Sequence, residues 1–304
     1  MKPESFDPGL TTQFSGELRR AINPDGSFNV HRKGLRLRDT NLYLLLIDTT
    51  WPRFFAAVLL IFLAINVLFA FVYLDIGIQY LRGTEPEMSA FLNAFFFSVH
   101  TLTTVGYGNV FPAGTMANAV SALEAATGLM VFAVVTGLLY GRFSRPSAKI
   151  LFSRRALIAP YQDGTSLQFR ITNARSNVLM DLEARVLLMT VTRADGQLKR
   201  AFFDLSLERR RVYFFPLTWT VVHPIDSESP LSGKTAEELR ELEAELLILI
   251  KGFDDTFSQN VHQQYSYRHD EILWGAKFEP AFRVDSKGDL VLDVNRVHEL
   301  KILG

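Results

Sequence analysis

Six consecutive residues, Thr103-Thr104-Val105-Gly106-Tyr107-Gly108, combine two hydroxyls with two glycines separated by a single residue. The chemistry such a run can perform lies in its backbone. If consecutive carbonyls all turn to one side, their oxygens can replace the water shell of a dehydrated cation. That geometry calls for positive φ, which Gly106 and Gly108 adopt without a steric cost. The carbonyls of Thr104, Val105, Gly106 and Tyr107 would hold the ion, and the Thr104 hydroxyl offers one more oxygen below them. One loop supplies too few oxygens to surround a bare ion, so the run predicts a cyclic homo-oligomer with the ion path on its symmetry axis.

Other chemistries find little support. There is no Walker loop, no HExxH and no GxSxG, and the six histidines show no metal-ligand spacing, which argues against an enzyme. Lys plus Arg equals Asp plus Glu at 32 each, so no overall basic field is available for nucleic acid. The absence of cysteine excludes disulfides and thiolate metal sites. A hydrophobic fraction of 48% is too modest for a chain that is membrane throughout and predicts a mixed protein.

The elements that must position the glycine run can be read on either side of it. Residues 54–74 hold no charge and a lone polar residue, Asn66, and as a helix they reach about 31 Å, matching a bilayer core of about 30 Å. After a polar loop, Ser89 can cap a helix over 89–102 through Phe91, Phe95, Phe96 and Phe97. It is too short to span, so it is expected to re-enter and point its negative C-terminal end at the ion. Residues 116–140 make a second span whose only ionisable group is Glu124. Ahead of the first span, 41–52 suits an interfacial helix, with Trp51 at the headgroup level and Pro52 ending the preceding turn. Residues 1–40 read as a polar tail with a turn at Asn23-Pro24-Asp25-Gly26, and lack the basic start and apolar run of a signal peptide.

Charge placement orients the spans. Arg142, Arg145, Lys149, Arg154 and Arg155 crowd one end, and Arg32, Lys33, Arg36 and Arg38 lie on the same side, so both termini are expected in the cytoplasm. From 146 to 304 the pattern changes to short runs with turn signals at Asp163-Gly164, Asp195-Gly196 and Lys287-Gly288, which predicts a β-sandwich. Strands are expected over 166–172, 184–192, 213–222 and 246–253. One helix interrupts them, with Thr235 and Glu238 in capping-box spacing ahead of Leu239, Leu242 and Leu246.

Taken together, the order of interfacial helix, span, pore helix, TVGYG, span and sandwich resembles the prokaryotic inward-rectifier potassium channels, the KirBac family. Further matching marks are Arg142-Phe143-Ser144-Arg145-Pro146, Leu151-Phe152-Ser153, Trp219, and His223-Pro224-Ile225-Asp226-Ser227-Glu228-Ser229-Pro230-Leu231. The resemblance implies a membrane α fold with a C-terminal immunoglobulin-like all-β domain and a homotetramer in a prokaryotic plasma (inner) membrane. It also implies potassium as the permeant ion without any other cofactor, and four sandwiches that extend the pore into the cell.

Roles follow from the resemblance residue by residue. Phe132 falls at the cavity position for magnesium and polyamine block, and its neutral ring implies weak rectification. Tyr140 falls at the gate where the inner helices cross. Spacing adds that Gly128, Phe132, Thr136 and Tyr140 are four apart, a face that could turn to the pore or pack against neighbouring helices. Gly128 and Gly137 are candidate hinges or packing positions. Glu124 is placed behind the filter as support, since an unpaired acid inside a membrane is costly. His100 occupies the site where many relatives carry a glutamate paired with a charge beyond the filter. Here Asn109 and Val110 are neutral, so His100 either hydrogen-bonds or makes the filter sensitive to pH. The basic group Arg36, Arg38, Arg142, Arg145, Lys149, Arg154 and Arg155 is the expected site for anionic lipid, phosphoinositide included. Barium is an expected blocker. The alternatives are a nucleotide- or calcium-gated channel, which would need a βαβ unit after the second span, and a membrane-anchored binding module.

Overall fold

A computed structural model describes residues 8–11, 13–14, 20–31, 33–34, 42–144, 148–194 and 197–303. The chain divides into two compact units, one of residues 32–145 and one of residues 1–31 with 146–304. Along the chain come β1 (Gln13–Phe14), α1 (Leu42–Asp48), α2 (Trp51–Ile76), β2 (Leu81–Arg82), α3 (Ala90–Leu102), β3 (Phe111–Pro112) and α4 (Thr115–Phe143).

In the first of these units, α2 and α4 are long and apolar enough to cross a membrane. At 1.5 Å per residue their 26 and 29 residues reach about 39 and about 44 Å, more than a bilayer core of about 30 Å. Large side chains such as Leu60, Leu68 and Phe71 stand exposed along α2, as a lipid-facing surface requires. Both helices run past their expected bounds of 54–74 and 116–140. The chain breaks ahead of Pro52, between Asp48 and Trp51, but the second helix starts earlier than expected: Thr50 is its N-cap and Pro52 sits in its first turn. Amides there have no helical partner, so a proline loses nothing. The interfacial helix shrinks accordingly to α1.

Short α3 is capped by Ser89, whose hydroxyl accepts the Leu92 amide at 3.3 Å. It packs on α2 through Ala70, Tyr73, Ala94 and Phe97. Asn93 clamps the preceding loop, accepting from the Glu85 amide and donating to the Glu85 carbonyl, both at 2.9 Å.

The second unit is a sandwich. Its strands are β4 (Ile150–Phe152), β5 (Ala156–Tyr161), β6 (Gly164–Asn173), β7 (Leu179–Ala194), β8 (Gln197–Asp204), β9 (Arg211–Phe214) and β10 (Thr218–Ile225). After α5 (Ala236–Glu241) come β11 (Glu245–Asp254), β12 (Gln259–Arg268), β13 (Ile272–Trp274), β14 (Ala276–Phe278), β15 (Phe282–Val284), β16 (Leu290–Leu292) and β17 (Leu300–Ile302). One sheet runs β1-β8-β7-β11-β12 with β9 also on β7, and the other runs β10-β6-β5-β13 with β4 on β6. Alternate residues point inward, as the period of two demands: Leu182, Ala184, Val186 and Leu188 from β7, and Leu167, Phe169 and Ile171 from β6, join one buried core.

Three local expectations change. The single strand over 213–222 is two, β9 and β10, divided at Phe215-Pro216-Leu217, because proline cannot donate to a ladder. The capping box at Thr235 and Glu238 is present, but α5 stops at Glu241 and Leu246 belongs to β11. The N-terminal segment is not a free tail in the described residues. Its turn at 23–26 is closed by an Ile22–Phe28 bridge, Ile22 is buried with Met189, Phe202 and Leu247, and β1 pairs with β8. The turn signal at Asp195-Gly196 lies outside the described residues.

Candidate functional site

The last carbonyls of any helix lack intrahelical partners. At the end of α3 they are taken by the glycine run. The Thr103 amide donates to Val99 O at 3.1 Å and the Thr104 amide to Thr101 O at 3.0 Å. The amides of Val105 and Gly106 both donate to His100 O, at 3.0 and 3.2 Å. All peptides here are trans, so each carbonyl points opposite to the amide it shares a plane with. The carbonyls of Thr103, Thr104 and Val105 therefore face away from the pore helix. Beyond them the backbone keeps a period of two, with φ of 58° at Thr104, 52° at Gly106 and 81° at Gly108. Positive φ at every second residue is the pattern that can turn successive peptides the same way, as in backbone nests.

Gly106 and Gly108 meet the expectation of positive φ. Thr104 was not expected there. A β-branched residue at positive φ is an outlier, held by the bond of its amide to the Thr101 carbonyl. Its hydroxyl has no partner among the described residues. The Thr103 hydroxyl is turned back to Val99 O at 2.6 Å, so Thr103 contributes a carbonyl and not a hydroxyl.

Two contacts brace the outer half of the run. The His100 ring stands edge-on to Tyr107, with centroids 4.8 Å apart and planes at 89°. The exit strand β3 pairs with β2, the Ala113 amide donates to Tyr80 O at 2.7 Å, and Gly83 admits Asn109 O where a Cβ would lie 1.9 Å away. A backbone ladder thus ties the segment after the run to the loop before α3.

A buried polar cluster joins α2, α3 and α4. Glu124 of α4 accepts the Tyr73 hydroxyl at 2.6 Å and bonds to Ser98 of α3. Ser98 lies 3.0 Å from Asn66 Oδ1, and Asn66 Nδ2 donates to Phe62 O at 2.7 Å. All four side chains are buried. Tyr73 and Ser98 were not singled out from the sequence, although a serine directly after the Phe95–Phe97 run and an asparagine alone in an apolar span were the available signals.

On α4 the supposed common face divides. Gly128 is buried against the end of α3, whereas Phe132, Thr136 and Tyr140 are exposed, Phe132 and Tyr140 at 73% and 74%. The reason is geometric: steps of four residues drift by about 40° each on a helix of 3.6 residues per turn. Gly137 has open space around it.

The basic residues separate as well. Three of the five N–H donors of Arg142 go to the C-terminal carbonyls of α1, namely Leu46 O, Ile47 O at 2.9 Å and Thr49 O at 2.8 Å. The guanidinium also lies 4.5 Å from the Trp51 ring and 4.7 Å from that of Phe54. Arg142 thus caps α1, with three of its donors engaged within the chain. Lys149, Arg154 and Arg155 are exposed in the sandwich unit, with Arg155 donating to Asp270 O. Arg36, Arg38 and Arg145 lie outside the described residues.

The His223–Leu231 run owes its residue types to a fold-back. His223 is buried, with Nδ1 donating to Ser206 O at 2.6 Å and Nε2 accepting from Ser229 Oγ at 2.8 Å. Burial pushes its pKa below the ordinary value.

Comparison with known proteins bears on the whole chain. Residues 150–302 match the inward rectifier potassium channel C-terminal domain, and residues 57–145 match an ion channel family. The inward rectifier potassium channel Kirbac3.1 of Paramagnetospirillum magnetotacticum is 39% identical over 284 residues, which are 92% of this chain and 95% of that protein. Human inward rectifier potassium channel 4 is 28% identical over 70% of this chain and 50% of its own length. Human ATP-sensitive inward rectifier potassium channel 12 is 26% identical over 83% of this chain and 63% of its own length. These relatives are ion channels and not enzymes. With two helices able to cross a membrane, a glycine run on the end of a pore helix and a C-terminal β-sandwich, the chain belongs to the inward-rectifier potassium channel family, in its prokaryotic branch.

Proposed function

We propose that four copies of this chain form a passive potassium pore in a prokaryotic plasma membrane, with both termini cytoplasmic, lined at its narrowest part by Thr103 to Gly108. The observation that carries this reading is the bonding of the Thr104, Val105 and Gly106 amides to the end of α3, which turns the carbonyls of Thr103, Thr104 and Val105 outward together. Carbonyls held this way can stand in for water around potassium only when a ring of them closes. Exposure of the whole run in the single chain is what such a ring would need.

Phe132 and Thr136 line the cavity and Tyr140 forms the gate, consistent with their exposure on α4. A neutral ring at Phe132 gives magnesium and polyamines no charge to bind, so rectification is weak. Gly128 serves packing and Gly137 bending. Glu124 supports the filter from behind, and His100 supports it through Tyr107. Anionic lipid, including phosphoinositide, acts on the basic residues Lys149, Arg154 and Arg155, with Arg36, Arg38 and Arg145.

The test is rubidium uptake into liposomes, with barium as blocker, with and without anionic lipid, alongside the mass of the detergent-solubilised assembly. Barium-sensitive uptake by a tetramer is expected. Uptake no greater than in empty liposomes would overturn the pore, and identical uptake with and without anionic lipid would remove the lipid reading alone.

A further inference from the structure

Ser98 Oγ lies within hydrogen-bonding reach of two acceptors, Glu124 Oε1 and Asn66 Oδ1, the latter at 3.0 Å. A hydroxyl carries one proton and can satisfy one of them. Turning the Asn66 amide over would present its Nδ2 to Ser98. It would also set Oδ1 against the Phe62 carbonyl, which now accepts from Nδ2 at 2.7 Å. Two acceptors at that distance repel, so the amide orientation is fixed. The remaining carboxylate oxygen, Oε2, is already served by the Tyr73 hydroxyl at 2.6 Å.

We infer that Glu124 is a neutral carboxylic acid whose proton sits on Oε1 and is donated to Ser98 Oγ. Every hydroxyl and carboxyl proton in the cluster then has one acceptor, and the bonds run in a single direction. Tyr73 donates to Glu124, Glu124 to Ser98, Ser98 to Asn66, and Asn66 to the Phe62 carbonyl. An ionised Glu124 would leave either its own Oε1 or Asn66 Oδ1 facing Ser98 without a proton, in a site where all four side chains are buried. No ion pair to Glu124 exists among the described residues, so no cation is at hand to favour the charged form. The titratable group that faces it from α2 is Tyr73. From α3 it meets the neutral Ser98, and His100 of the same helix is engaged with the Tyr107 ring.

The consequence is a chain of hydrogen bonds joining α2, α3 and α4 without any buried charge. Glu124 is here a positioning residue that acts through Ser98 on the helix whose end holds the filter amides. This deepens the filter-support role proposed for Glu124 and rests on it, but its test reads the proton whether or not the protein conducts.

Infrared spectra of the full-length protein in lipid at neutral pH provide that test, because surface carboxylates are ionised there and leave the protonated carboxyl region clear. The wild type minus E124Q difference is expected to show loss of one protonated carboxyl band. S98A, which keeps the acid and removes its acceptor, is expected to shift that band to higher frequency. Carboxylate bands in the E124Q difference, with no protonated band, would overturn the inference. Should E124Q fail to assemble, S98A decides: an absent or unshifted band also overturns it.

Discussion

The carbonyl oxygen of Leu102 lies 2.0 Å from where a Cβ on Gly128 would stand, so α4 meets the end of the pore helix backbone to backbone. Gly128→Ala must therefore push apart the helix that carries the filter, and overpacking of this kind costs about 1–3 kcal/mol. Thermal dissociation of the proposed tetramer is expected at lower temperature, with reduced rubidium flux. Gly137→Ala meets nothing within 4 Å in the chain and should leave assembly intact. If instead the two variants melt alike, the close approach at Gly128 is not what sets its residue type.

Positive φ at Gly106 predicts that Gly106→Ala loses discrimination between potassium and sodium. Nothing crowds the missing Cβ there, so conformation alone is at issue, at about 1–2 kcal/mol for an L-residue. Paired rubidium and sodium uptake measurements check this. Retained selectivity would mean that the run can carry its carbonyls without a glycine at this position.

Block by internal spermine should be shallow in voltage for the wild type and steep for Phe132→Asp, which places a ring of acids where there were neutral aromatic faces. Currents recorded in planar bilayers provide the comparison. Steep block of the unmodified protein would contradict weak rectification.

Four phenol rings at Tyr140 would close a path by dewetting. Tyr140→Ala is expected to raise open probability several-fold in single-channel records, at unchanged conductance through the filter. An unchanged open fraction would remove Tyr140 as the gate.

Acid should weaken the sandwich through His223. Its pKa is lowered in the folded state, so the unfolded chain binds a proton first, and stability present above the ordinary value of 6.5 is lost as pH falls below it. Protonation would turn Nε2 from acceptor to donor against Ser229 Oγ, whose hydroxyl now donates to it. Unfolding followed by the fluorescence of buried Trp219 should show a slope between pH 7 and 5 that is reduced in His223→Gln.

Much of the architecture was legible because it rests on composition and period. Uncharged stretches long enough for a bilayer, alternation in the strands, and the capping box at Thr235 and Glu238 are local signals, and they located the spans, the sandwich and α5. Boundaries were less legible where two rules met. Pro52 reads both as a breaker of the turn before it and as a first-turn residue of the helix after it, and only the completed α2 shows that both hold. The docking of residues 20–31 left little trace, since Arg20 pairs with Glu271 at 3.1 Å and the Ala21 amide reaches Glu245 at 3.0 Å. Neither partner could be named from within the segment.

By itself, the sequence determined the ion chemistry, because glycines at 106 and 108 are requirements of one short backbone and need no distant partner to be read. It determined in the same way which segments are long and apolar enough to cross a membrane. Tertiary structure decided what holds that backbone in place. The carbonyl of His100 that receives two filter amides, the Leu102 carbonyl against Gly128, the Gly83–Asn109 approach and the proton chain from Tyr73 to Phe62 join residues far apart along the chain or atoms of the main chain, which carry no residue-type signal. Polar groups buried among apolar helices must find partners, but which partners is a matter of three-dimensional packing.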